Sequence, residues 1–129
     1  MNEIMIFTAP VVIGSGRGKD LRVPTINVDI TSVPMDFGEG IYACFVQIGN
    51  QIYKSAMHYG PRPVFNDVPS CEVHLLDADL STAPAEIRIE VVQHLRDVQN
   101  FDSAEKLQQQ MMKDIDEARA ILGTSDSAL

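Results

Sequence analysis

Gly14, Gly16 and Gly18 stand at alternate positions with Arg17 and Lys19 among them, and Pro24-Thr25-Ile26-Asn27 follows shortly after. Residues of these types can hold a phosphate: small residues let backbone N–H groups approach an anion, two cations add charge, and Thr25 and Asn27 offer neutral oxygens. Two residues apart, they share one face if the chain is extended there. Spacing excludes the two common nucleotide loops. A Walker A loop needs four residues before its Gly-Lys pair and a Ser or Thr after it; here three separate Gly14 from Gly18, and Asp20 follows Lys19. A dinucleotide fingerprint opens a helix, whereas these evenly spaced glycines lead towards a strand. A flexible strand connection and an unclassified anion loop remain, and the oxygen donors beside the cationic loop favour a site for a metal–triphosphate. Elsewhere, Glu72 reads as an acid on the solvent face of a strand. His58, His74 and His94 lack metal-ligand spacing with one another and with Cys44 and Cys71. Arg62 is either a loop cation or a phosphate contact.

The elements that must position these groups are mostly strands. Residues 4–13 read as a strand that lies at an edge or breaks at Pro10. Thr25 to Ile30 reads as a second strand. Ile41 to Ile48 and Gln51 to Tyr59 flank Gly49-Asn50, a two-residue hairpin signal. The three prolines between Gly60 and Ser70 mark a loop. In Cys71 to Ala78, Glu72, His74 and Leu76 point one way and Cys71, Val73 and Leu75 the other. Glu86 to Arg96 alternates, with Ile87, Ile89, Val91 and Leu95 on one face and Arg88, Glu90 and His94 on the other. The period then changes: Asp102 and Glu105 have capping-box spacing, and Leu107, Met111, Ile115, Ala118 and Leu122 recur at helical intervals up to Gly123. Asp114, Asp116 and Glu117 read as a solvated face, Met111 and Met112 as core filling, and residues 124–129 as frayed. Six strands with local hairpins and one terminal helix do not alternate as βαβ units do, so a closed or nearly closed antiparallel barrel is expected.

The totals fit a single domain over residues 1–129, with the helix at 102–122. Of the 129 residues, 45% are hydrophobic and 22% charged, as in ordinary globular proteins. The net charge of −8 argues against sequence-independent nucleic-acid binding, which needs many Lys and Arg on phosphates. One cysteine pair without a secretory signal does not indicate a disulfide framework, so both thiols are expected in the core. The N-terminus lacks the basic segment of a signal peptide and no apolar run spans a bilayer, so a cytoplasmic protein is expected.

GSGRGKDLRVPTIN resembles the G-x-G-R-G-x-x-L-G-x-P-T-A-N signature of riboflavin kinases (flavokinases). The resemblance continues in order through GIYACFVQIG, YGPRPVF, CEVHLLD and the segment LRDVQNFDSAEKLQQQMMKDIDEAR, covering roughly residues 9 to 122. It implies a six-stranded Greek-key barrel with a C-terminal helix, transfer of the ATP γ-phosphoryl group to the riboflavin 5′-hydroxyl, and FMN and ADP as products. It also implies roles. Gly14, Gly16, Arg17, Gly18, Lys19 and Pro24 fall in the nucleotide-binding stretch; Thr25 and Asn27 fall where Mg²⁺ and the phosphates bind; Glu72 falls on the catalytic base; Arg96 and Phe101 fall in the segment that closes over the flavin. Neutral Thr and Asn oxygens suit a hard Mg²⁺ that takes its other ligands from phosphate and water.

Several positions depart from the family pattern: Ala9 stands for Gly, Arg22 for Gly, Ile26 for Ala, His58 for a frequent Asn, Val64 for Thr and Val98 for Glu. Arg22 places a long side chain beside the phosphate loop, blocking it or adding a contact. The expected protein is a stand-alone riboflavin kinase, monomeric, with no nucleic-acid or membrane partner and no adenylyltransferase domain. The alternatives are a non-catalytic flavin- or nucleotide-binding module on the same barrel, and a barrel used only for protein contacts.

Overall fold

Two-residue alternation along most of the chain produces a closed barrel with a filled interior. A computed structural model describes residues 5–12, 25–34, 37–61, 69–78, 80 and 84–129. Its strands are β1 (Met5–Val12), β2 (Thr25–Val28), β3 (Gly40–Ile48), β4 (Gln51–Gly60), β5 (Ser70–Leu75) and β6 (Glu86–Arg96), followed by helix α1 (Ala104–Gly123). All pairings are antiparallel and the order around the barrel is β1-β2-β5-β4-β3-β6. The run β6-β3-β4-β5 is a Greek key: three hairpin-connected strands, with the fourth returning beside the first. Among the described residues the sheet closes on itself, so that every strand has a neighbour on each side.

Inward residues form the main core, among them Phe7, Ala9, Ile26, Cys44, Val46, Met57, Cys71, Val73, Leu75, Ile87 and Ile89. Outside the barrel, Ala43, Phe45, Ala56 and Leu76 meet Ile115, Ala118 and Leu122 of α1 in a second cluster. The expected alternation of β5 holds: Cys71, Val73 and Leu75 fill the interior while Glu72 and His74 face outward beneath the helix. The hairpin holds too, closing at Ile48↔Gln51. Gly49 there has φ +60°, and a positive φ at the first central residue suits a type II′ turn.

Several expectations need correction. Strand β1 is neither broken nor at an edge: Pro10 ends the ladder with β6, and pairing with β2 begins at Val11, so the missing N–H falls where the partner changes. The second strand stops at Val28 because the Asp29 carboxylate accepts the Thr31 N–H at 3.0 Å and caps a short 3-10 turn, Ile30–Ser32. In β6 the register shifts twice against β3, skipping Val92 and Leu95. These bulges put Val92 and Leu95 on the helix side and turn His94 in against Tyr42, ring centroids 5.1 Å apart. The helix begins at Ala104, capped by Ser103, whose Oγ accepts the Lys106 N–H at 3.2 Å; Asp102 instead pairs with Lys106 Nζ. Met112 is half exposed rather than core filling. The tail is docked, not frayed: Ser127 Oγ and the Ala128 N–H both donate to the buried Glu90 carboxylate, at 3.0 and 2.8 Å, and Leu129 packs on the outer cluster.

Candidate active site

The ladder pairings line up outward-facing residues across the sheet. Asn27 on β2 opposes Glu72 on β5, Glu72 opposes His58 on β4, His58 opposes Ile41 on β3, and Ile41 opposes Arg96 on β6. The adjacent row runs Thr25, His74, Ala56, Ala43. Helix α1 packs on the β3, β4 and β6 part of these rows without filling the space beside Leu107, Met111 and Asp114. A cleft open to solvent lies there, with Glu72, His58, His74, Arg96 and Asp114 among its walls. From Glu72 to Arg96 is three strand spacings, roughly 14 Å across the sheet.

At one end, Thr25 Oγ1 and His74 Nδ1 are 3.1 Å apart across the β2–β5 ladder. Burial lowers the His74 pKa to about 4, helped by the neighbouring His58, so at neutral pH the ring is uncharged. Burial likewise lowers His58 to about 4, with Arg96 as a second cause, partly offset by the backbone carbonyls of Pro61 and His58 that face the ring. At the other end, Arg96 is held by a two-pronged ion pair. Its Nε and Nη2 donate to Asp114 Oδ1 and Oδ2 at 2.9 and 2.8 Å, and Nη1 donates to the Asp97 carbonyl at 3.0 Å. Gln110 adds a hydrogen bond to Asp114 at 3.1 Å, and the guanidinium lies 5.8 Å from the centre of the Phe101 ring. The Cys44 and Cys71 thiols lie inside the barrel, where burial pushes Cys71 up to about 12 and Cys44 well above its ordinary value; both are inert at neutral pH.

Of the residues singled out in the sequence, Thr25, Asn27 and Glu72 therefore come together on two neighbouring strands, and Arg96 stands in the far wall with Phe101 beside its guanidinium. Gly14, Gly16, Arg17, Gly18, Lys19, Pro24 and Arg62 lie outside the described residues. Asp114 does not belong to a solvated face: it is buried, and its pairing with Arg96 is part of the wall. Its signal was its phase, since Asp114 stands three residues after Met111 and four before Ala118, on the apolar stripe. The burial of His58 and His74 had no local signal, because α1 covers them from a distant part of the chain.

The donors fit a hard cation shared with phosphate. Thr25 and Asn27 put two neutral oxygens on one face of β2, with a single carboxylate, Glu72, across from Asn27. Among the described residues no three His, Cys, Asp or Glu side chains converge to hold a metal by themselves. Among the same residues no helix is long and apolar enough to cross a membrane.

Residues 2–122 match the family model described as riboflavin kinase. The chain is 30% identical over 112 residues to a bifunctional riboflavin kinase/FMN adenylyltransferase of Bacillus subtilis (strain 168), covering 84% of this chain and 35% of that protein. It is 34% identical over 116 residues to the riboflavin kinase of Mus musculus, covering 84% and 75%. Among solved structures, a Streptococcus pneumoniae protein described as a macrolide-efflux protein superposes with a TM-score of 0.75 at 25% identity, over 88% of this chain and 38% of that one. A riboflavin kinase from Trypanosoma brucei has the same fold, with a TM-score of 0.62 at 19% identity over 95% and 82%.

Proposed function

The chain belongs to the riboflavin kinase family, and from that premise we propose that it transfers the γ-phosphoryl group of ATP to the 5′-hydroxyl of riboflavin, releasing FMN and ADP. Glu72 is the general base: its carboxylate takes the hydroxyl proton as the oxygen forms its bond to the γ-phosphorus and the bond from that phosphorus to the ADP oxygen breaks. Thr25 and Asn27 hold Mg²⁺ together with the phosphates; the ion, when bound, neutralises charge on the transferred group. Gly14, Gly16, Arg17, Gly18, Lys19 and Pro24 bind the nucleotide, while Arg96 and Phe101 flank the flavin ring at the far end of the pocket. We assign the kinase step to this chain, in a cytoplasmic monomer without nucleic-acid or membrane partners.

The observation that carries this reading is the pairing of Asn27 with Glu72, a carboxylate that lines the same pocket as Arg96. An elongated acceptor can then have its hydroxyl beside the carboxylate and its ring system near the guanidinium. In the test, purified protein is incubated with riboflavin, ATP and Mg²⁺ and the products are separated by chromatography. FMN accumulating in proportion to enzyme and time is expected. No FMN above a blank, with flavin binding intact, overturns the kinase and leaves a binding module.

A further inference from the structure

His58 is 6% exposed; the backbone carbonyls of Pro61 and of His58 itself lie near the ring, but neither Nδ1 nor Nε2 makes a well-formed hydrogen bond among the described residues. Buried polar groups are nearly always paired, so a ring with both nitrogens unpaired in a pocket wall needs an explanation. Its neighbour His74 has Thr25 at Nδ1; His58 has Glu72 across one ladder and Ile41 across the other. The charged and titratable groups around it are Glu72 and His74 on β5, Arg96 on β6 and Asp114 on α1, and the last two are committed to each other.

Resting on the kinase reading, we propose that His58 is a specificity-determining residue that hydrogen-bonds the hydroxylated chain of the acceptor, next to the hydroxyl that Glu72 deprotonates. A neutral imidazole has one donor and one acceptor, and an alcohol has the same pair, so a polyol can satisfy both nitrogens at once. The lowered pKa of His58 keeps the ring neutral at the pH of the reaction. An anionic or purely apolar group would leave at least one nitrogen unpaired. A site built around a substrate hydroxyl discriminates against an analogue lacking it, because the unpaired protein groups then stay buried. His58 therefore selects for the side chain of the flavin rather than for its ring.

The test compares riboflavin with lumiflavin, which has the same ring and a methyl group in place of the polyol, by quenching of flavin fluorescence. His58→Phe keeps the ring shape without its nitrogens; His58→Asn restores a donor and an acceptor. His58→Phe should weaken riboflavin binding about tenfold, the scale of one buried hydrogen bond, and leave lumiflavin unchanged. His58→Asn should recover most of the preference, and the melting temperature of the ligand-free His58→Phe protein should equal or exceed wild type. Loss of both flavins in parallel, or of neither, overturns the role of His58 alone. A wild-type protein that binds no riboflavin overturns the kinase reading, and this role with it.

Discussion

Glu72 owes its position to a simple local pattern: the residues on either side of it, Cys71 and Val73, are driven into the barrel, so the carboxylate must face out. Outward did not mean fully solvent-exposed: Glu72 is half-buried in the wall of the pocket between the sheet and α1, a helix that packs mainly on β3, β4 and β6. The proton-accepting role gives a specific expectation. Glu72→Gln keeps the size and much of the hydrogen bonding but cannot take a proton at neutral pH, so kcat should fall about a hundredfold or more. ATP affinity and thermal stability should change little, since the charge removed is at the acceptor. Steady-state kinetics with FMN quantified by chromatography decides it. Turnover within a factor of two of wild type would rule out the role, whereas equal losses in rate and nucleotide binding would point to phosphate or metal positioning instead.

At the level of elements, helix α1 makes the pocket, and Asp114 fastens the helix there. Ile115, Ala118 and Leu122 bury its C-terminal half against the barrel, whereas towards the N-terminus the Arg96–Asp114 pair replaces apolar contact. The side chains are 16% and 6% exposed, so this pair is shielded far more than the surface pairs of Arg119 with Asp77 and Lys106 with Asp102. Removing one partner strands the other charge, so Asp114→Ala should lower unfolding stability by about 3 kcal/mol in urea titration, while Asp102→Ala should change it by less than about 1 kcal/mol. Equal effects of the two substitutions would show that the buried pair has no special weight. The strands, the hairpin and the helix were legible because each follows from a local period or turn signal. The bulges at Val92 and Leu95 and the docking of residues 127–129 onto Glu90 were not, since both depend on partners far along the chain. The site was legible on the same terms: Glu72, Thr25 and Asn27 through an ordered set of motifs, but Asp114 and His58 only once the helix is seen to lie over the sheet. Asp114 illustrates the limit, because an acid on an apolar stripe looks like noise in the stripe until its arginine is found.

For the molecule as a whole, acid stability sets two opposing effects against each other. With 18 acidic and 10 basic residues, lowering the pH relieves net negative charge, which taken alone favours the compact state. His58 and His74 act the other way. Their folded pKa values, about 4, lie below the ordinary imidazole value of 6.5, so between those limits the unfolded chain binds more protons than the folded one. Their contribution is therefore complete above pH 6.5 and is lost as pH falls towards 4. Most carboxylates titrate near pH 4, so between 6.5 and 5 the histidines dominate; by pH 5 they remove up to about 2 kcal/mol each. The melting temperature should accordingly fall between pH 7 and pH 5 although the net charge moves towards zero. His58→Phe should remove at least half of that fall, because His58 also contributes to the lowering at His74. A melting temperature that is flat or rises over this range, or a slope unchanged in His58→Phe, would mean that the folded rings accept protons freely, and that the pocket is far wetter than its walls indicate.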